Sequence, residues 1–208
     1  MKSIVRIGIR PGALARKQLE EVIVLLKRRY PNAAFCTHTI ATTGDRDKTT
    51  PLSRVTEQDF FTRDIDQALL AKKIDVAVHS SKDLPDVLPP GLVIAFETKS
   101  ISLYDCLVSR GNLKLAQLPV QAKIGASSQR RKEQLLAMRH DIEVVDVRGT
   151  IEERLALIDK GIIDALLVAH AALLRLGLEY RIAEIFPLET FETHPKQGSL
   201  SVVVREGA

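Results

Sequence analysis

The residues with the most chemical promise lie in Val78-His79-Ser80-Ser81-Lys82-Asp83-Leu84-Pro85. A buried-looking strand over 74–78 leads into this run, and Pro85 ends regular structure. Lys82 and Asp83 are thereby expected at the carboxyl end of a strand, where open α/β sheets place their ligands. A carboxylate there can hold or move a proton. Lys82, in the same turn, favours its ionised form.

Arginines recur at similar places. Gly125-Ala126-Ser127-Ser128-Gln129-Arg130-Arg131-Lys132 reads as a strand entering a helix, with Ser127 or Ser128 as its cap. Free N–H groups and the helix dipole at that end favour an anion. The dipole disfavours Arg130 and Arg131 there unless an anionic ligand offsets it; a solvated basic turn is the plainer alternative. Thr150 and Glu153 spell a capping box, with Arg148 just before it and Arg154 one turn in. Arg175 lies on a short helical run, and Arg10 follows the first strand beside Gly12. Guanidiniums pair bidentately with carboxylates and phosphates, so this placement expects a ligand bearing several of them. No glycine-rich nucleotide motif is present.

The elements that must position these groups alternate between strand and helix. Strands are expected over 4–9, 34–41, 74–78, 92–96, 105–108, 123–125, 142–147, 164–168 and 200–204. Helices are expected over 13–29, 60–73, 128–139, 151–160 and 171–176, with a polar loop at 42–47. Such alternation gives mainly parallel sheets covered on both faces. The expected architecture is α/β and two-lobed, like type II periplasmic binding proteins, with a central cleft. The first lobe would be 1–98 plus 197–208 and the second 103–192, with hinges near 99–102 and 193–196.

The chain has 208 residues, 45% apolar and 27% charged, enough to bury a core. A net charge of +4 comes with 4% aromatic residues and no tryptophan, which argues against stacking on nucleic acid. No apolar run approaches the ~20 residues of a membrane span. The N-terminus lacks the apolar region of a secretory signal, which points to a cytoplasmic protein. Cys36 and Cys106 are too few for a disulfide framework or zinc site, and both read as buried strand thiols. His38, His140, His170 and His194 lack metal-ligand spacing, so no metal is expected.

Several runs, in order, resemble the porphobilinogen deaminase (hydroxymethylbilane synthase) family. They are Arg6-Ile7-Gly8-Ile9-Arg10, Thr42-Thr43-Gly44-Asp45, the run around Lys82-Asp83, Ser127-Ser128 with Arg130-Arg131, Arg148-Gly149, Arg154-Leu155, Arg175-Leu176-Gly177-Leu178-Glu179 and Gln197-Gly198. The resemblance implies a transferase of tetrapyrrole (heme) biosynthesis that condenses porphobilinogens into hydroxymethylbilane and releases ammonia. Asp83 matches the family's catalytic aspartate. Arg10, Arg130, Arg131, Arg148, Arg154 and Arg175 match its substrate- and cofactor-binding arginines. Lys82, Ser127, Ser128 and Gln197 fall within its motifs. The implied ligand is a small polycarboxylate, porphobilinogen or an oligopyrrole.

The family carries a dipyrromethane on a cysteine of a third, C-terminal domain. This sequence stops at Ala208 and resembles the short deaminases of chlamydia-like bacteria, which share its Arg-Gly-Thr-Ile-Glu-Glu-Arg-Leu run. The expectation is that the attachment cysteine is absent and the cofactor held non-covalently or not at all. A glycine-rich, lysine-bearing loop of the family is replaced by 55–60, where Glu57 and Asp59 add acids and Arg54 keeps one positive contact. Glu152 adds another acid after Arg148. These acids favour an alternative, a non-catalytic binding module for a polycarboxylate or oligopyrrole. Asp83 favours the enzyme, because an anion binder gains nothing from a carboxylate.

Overall fold

Gly12 turns the chain out of its first strand with φ 108, a conformation glycine adopts without strain. The computed structural model describes residues 4–55 and 57–207; Thr56, in the acidic loop, lies outside them. β1 (Ile4–Ile9) leads through that turn into α1 (Ala13–Arg29). Lys27, Arg28 and Arg29 occupy the last turn of α1, where cations complement the helix dipole. Leu19, Val22 and Leu26 recur at helical spacing along its buried side.

One compact unit comprises 4–47, 57–101 and 198–207. Besides β1 and α1 it holds β2 (Ala34–Thr39), α2 (Thr43–Arg46), α3 (Arg63–Leu70), β3 (Val76–Ser80), β4 (Leu92–Glu97) and β10 (Leu200–Arg205). Its sheet has the order β2-β1-β3-β10-β4. β1 pairs parallel with β2 and β3, and β10 pairs antiparallel with β3 and β4. Four strands therefore share a direction and the returning β10 opposes them. On one face α1 packs against Ile7, Ile9, Val78, Leu200 and Val202. On the other, α3 packs Ile65, Ala68 and Leu69 against Ile74, Ala77, Leu92 and Val203.

The other unit comprises 48–55 and 102–197. It holds β5 (Asp105–Ser109), β6 (Lys123–Ala126), α4 (Gln129–Met138), β7 (Glu143–Asp146), α5 (Ile151–Asp159), β8 (Ala165–Ala169), α6 (His170–Leu176) and β9 (Ile182–Ile185). Its strand order, β7-β6-β8-β5-β9, has the same form as the first, with β5 as the opposed strand. Leu107, Ile124, Leu135, Leu167, Phe186 and Phe191 form its core.

Several expectations change. The residues 48–55 and 193–197 belong with the second unit. Each sheet is mixed, through its single reversed strand. The stretch 42–47 contains a helical turn, fixed by a capping box between Thr42 and Asp45. The helix expected over 60–73 shortens to α3, because Phe60 and Phe61 are diverted into an edge-on pair with centroids 5.2 Å apart. β3 is shifted two residues onward, and β9 was not expected at all. Cys36 is exposed, because β2 is an edge strand; Cys106 is buried as expected. Among the described residues no helix is long and apolar enough to cross a membrane.

Gly8 shows how closely Ile74, which follows α3, packs on the first sheet. A Cβ there would lie 2.3 Å from Ile74 Cδ1 and 3.5 Å from Ile65 Cγ2. Gly8→Ala is expected to cost ~1–3 kcal/mol through overpacking. Urea unfolding measures this, and an unchanged midpoint would contradict the packing.

Candidate functional site

Arg10 emerges from the carboxyl end of β1 and meets two carboxylates. Its Nε and Nη2 donate to Asp45 Oδ1 at 3.1 and 2.5 Å. Its Nη1 lies 3.8 Å from Asp83 Oδ2. Its guanidinium carbon stands 4.3 Å above the centroid of Phe61, a cation–π contact. Asp45 is held in turn by Thr42, whose backbone N and Oγ1 donate to Oδ2 at 3.0 and 2.8 Å. Burial alone would raise the Asp45 carboxyl, but the hydrogen bonds and charge of Arg10 outweigh it and leave its pKa below the ordinary range.

Asp83 closes a 3₁₀ turn, Ser81–Asp83, directly after β3. The turn is tied from two sides. Gln18 of α1 donates to Ser80 Oγ at 2.8 Å. Ser201 of β10 donates to Ser81 Oγ at 2.8 Å, and Ser81 N donates to Ser199 O at 3.0 Å. Asp83 itself stays partly exposed, with 28% of its side chain accessible. Lys82 is half-buried in the same turn.

In the second unit Ser128 caps α4, accepting from Arg131 N at 3.4 Å. Ser127 Oγ donates to Val147 O at 2.9 Å and accepts from Arg154 Nη1 at 3.0 Å. Arg154 Nε donates to Gly149 O at 2.9 Å. The Thr150–Glu153 capping box forms as expected. Lys48 Nζ reaches Glu153 Oε1 at 2.7 Å. Arg148 and Arg175 are half-buried, the latter in the last turn of α6, and Arg54 is exposed. Arg130 is half-buried and its Nε is sealed from solvent without a hydrogen bond.

Arg131 has a different setting. It is buried, and its Nε and Nη2 donate to Asp105 at 2.8 and 2.5 Å. Gln197 completes this network, donating to Asp105 Oδ1 at 2.8 Å and to the carbonyls of Leu103 and Tyr104. Arg10 and Asp83 thus come together in one unit, as do Ser127 with Arg154, and Arg131 with Gln197, in the other. Asp45, Phe61 and Asp105 were not singled out as site residues. Asp45 offered a signal as the last residue of the run Thr42-Thr43-Gly44-Asp45, and Asp105 as an acid opening the apolar run Cys106-Leu107-Val108. Burial pushes the Cys106 thiol up to about 12, so it is not a nucleophile near neutrality. Among the described residues no metal-ligand cluster occurs.

The two mixed sheets define the class of fold. The BenM effector-binding domain with benzoate aligns with a TM-score of 0.57 at 15% identity, over 100% of this chain and 86% of that one. The regulatory domain of an OxyR2 mutant from Vibrio vulnificus gives 0.53 at 13%, over 100% and 89%. The periplasmic sulfonate-binding protein SsuA from Methylobacillus flagellatus gives 0.51 at 16%, over 99% and 62%. The architecture is the two-lobed α/β type of type II periplasmic binding proteins. Residues 5–208 match the family model described as porphobilinogen deaminase, dipyromethane cofactor binding domain, and the chain belongs to that family. Porphobilinogen deaminase from Desulforudis audaxviator is 42% identical over 205 residues, and that from Chlorobium limicola 40%. Each match covers 99% of this chain and 66% of the relative, so the chain spans just under two thirds of their length.

Asp105→Ala would strand the buried Arg131 charge and is expected to destabilise the protein by ~3 kcal/mol or more. Denaturant unfolding measures it, and a loss below ~1 kcal/mol would show that the pair is not a structural tie.

Proposed function

We propose that this chain carries out porphobilinogen deaminase chemistry, joining porphobilinogen units with release of ammonia, and that Asp83 is its catalytic acid–base group. The observation that carries the reading is the fixed pairing of Arg10 with Asp83. Asp45 and Phe61 orient the guanidinium, and Nη1 is left 3.8 Å from an accessible carboxylate at a strand end. In the reaction the aminomethyl C–N bond breaks and ammonia leaves, giving a cationic azafulvene. A carboxylate beside the pyrrole N–H stabilises that cation. A C–C bond then forms to the α-carbon of a second pyrrole, whose proton is lost to a base, the role given to Asp83.

Each porphobilinogen bears an acetate and a propionate, so the growing product is a polyanion. Arg130, Arg148, Arg154 and Arg175, with Ser128, are the carboxylate ligands we assign in the second unit; Ser127, whose hydroxyl is committed to Val147 O, holds Arg154 in place. The buried Nε of Arg130, lacking a hydrogen-bond partner, fits a group that brings its own acceptors. We assign Arg10, Lys82 and Arg54 as further cationic contacts. Arg131 and Gln197 support the site through Asp105. A dipyrromethane suits the second unit's donor set and would supply the starter pyrrole for chain growth. Its proposed grip on this chain is the ion pairing of its carboxylates.

The binding-module alternative loses part of its support. Asp59 accepts from Arg63 Nε and Nη2 at 2.7 and 2.6 Å, so one of the two acids in the substituted loop is already neutralised.

Asp83→Asn is expected to lower porphobilinogen consumption at least ~100-fold, the scale of a lost acid–base group. Porphobilinogen binding, followed by calorimetry, should stay within a few-fold. Normal consumption by the variant would remove Asp83 from the mechanism.

A further inference from the structure

Behind the strand that leads into the Asp83 turn, three polar side chains are sealed from solvent. Thr62 precedes α3, Asp66 lies in its first turn, and His79 comes from β3. Strand alternation turns Val78 towards α1 and sends Ala77 and His79 to the α3 face. His79 Nε2 lies 4.0 Å from Asp66 Oδ1, and each side chain is 2% exposed. Thr62 Oγ1, both Asp66 oxygens and His79 Nε2 have no hydrogen-bond partner among the described residues. An ionised carboxylate with no aligned hydrogen bond in such a place is strongly disfavoured, whereas a carboxylic acid can donate to a neutral imidazole.

We propose that Asp66 and His79 hold a single proton on the Asp66 carboxyl, facing His79 Nε2, and that Asp66 thereby acts through His79 as a positioning residue for the turn that presents Asp83. The part concerning Asp83 rests on the function proposed above; the one-proton pair does not. Arg10 is the charged group that faces both His79 and Asp83, and Asp59 is the charge facing Asp66.

Burial, with some help from Asp59, pushes Asp66 up to about 6, against the Thr62 hydroxyl, which faces it without hydrogen-bonding alignment. Burial and then the charge of Arg10 push His79 down to about 4. The signs of the two shifts oppose. A raised carboxyl stabilises the fold most below its ordinary pKa of 3.8, and that contribution fades as pH rises to about 6. A depressed imidazole contributes fully above 6.5, and its contribution fades as pH falls to about 4. Between about 4 and about 6 the unfolded chain carries the proton on histidine and the folded chain carries it on aspartate. Folding moves the proton between residues with no net uptake, so the pair adds almost no slope to stability in that window.

Single substitutions expose each half. Relative to the wild type, Asp66→Asn should give a stability that climbs with pH between about 4 and 6.5, from His79 alone. His79→Gln should give one that falls between about 3.8 and 6, from Asp66 alone. Urea unfolding of the full chain across this range reads both slopes. Opposite slopes support the pair; slopes of the same sign, or parallel to the wild type, overturn it. If a variant does not fold, ¹⁵N NMR of His79 in the native chain decides. A neutral imidazole protonated at Nδ1 down to about pH 4 is expected, and an imidazolium at pH 6 contradicts the proposal. For positioning, Asp66→Ala, assayed below about pH 6 where Asp66 keeps its proton, should lower kcat for porphobilinogen about tenfold with KM unchanged. Asp66→Asn, which keeps an N–H facing Nε2, should recover most of it. Unaltered kcat in Asp66→Ala overturns the positioning role. Absence of turnover in the wild type would refute the functional reading, while the slopes would still decide the pair.

Discussion

A guanidinium does not shed its charge in a protein, so each arginine must be answered by an acid, a set of carbonyls, water or a ligand. This constraint sorts the arginines of the chain. Arg6 forms a bidentate pair with Asp75, at 2.9 and 2.8 Å, and holds that carboxyl well below its usual range. Arg205 is absorbed by the carbonyls of Leu69 and Ile74 and by Asp75. Arg139 is taken by Asp141 and by the carbonyls of Leu115 and Leu118. Arg131 is consumed by Asp105. These four are structural ties. Arg10 differs because its partners leave one edge facing an accessible carboxylate, and Arg130 differs because its buried Nε finds no acceptor.

The fold puts these groups where they are needed by using one strand order twice. In each unit a central strand feeds a helix through a tight turn, β1 into α1 and β6 into α4, and its end carries polar groups. In the first unit the third parallel strand, β3, then runs into a second set of polar residues, Ser81, Lys82 and Asp83. Because β10 returns beside β3, Ser201 and Ser199 can tie down the turn that holds Asp83. Strand pairing thus fixes the position of a side chain whose own ion-pair contact among the described residues is with Arg10.

Local features were legible in the sequence, and distant ones were not. The Thr150–Glu153 capping box and the extent of α1 each depend on neighbours within a few residues, and each appears as read. The fate of Arg131 depends on Asp105 and Gln197, which are 26 and 66 residues away, so its spacing beside Arg130 suggested a shared role that the packing divides. β9 is only Ile182–Ile185 and becomes a strand by pairing with β5, which no local pattern announces. Cys36 looked buried because it lies in a strand-like run, but position at a sheet edge is a property of topology. The carboxylate at the end of β3 was readable from strand, turn and proline together; its orientation by Asp45 and Phe61 through Arg10 was not.

The central claim is that a fixed guanidinium–carboxylate pair, Arg10 with Asp83, turns over porphobilinogen. Incubating the pure chain with porphobilinogen, while counting both its loss and the ammonia released, tests this most directly. The account predicts matched amounts of the two and a product bearing the mass of joined pyrroles. Unchanged porphobilinogen with no ammonia would contradict it.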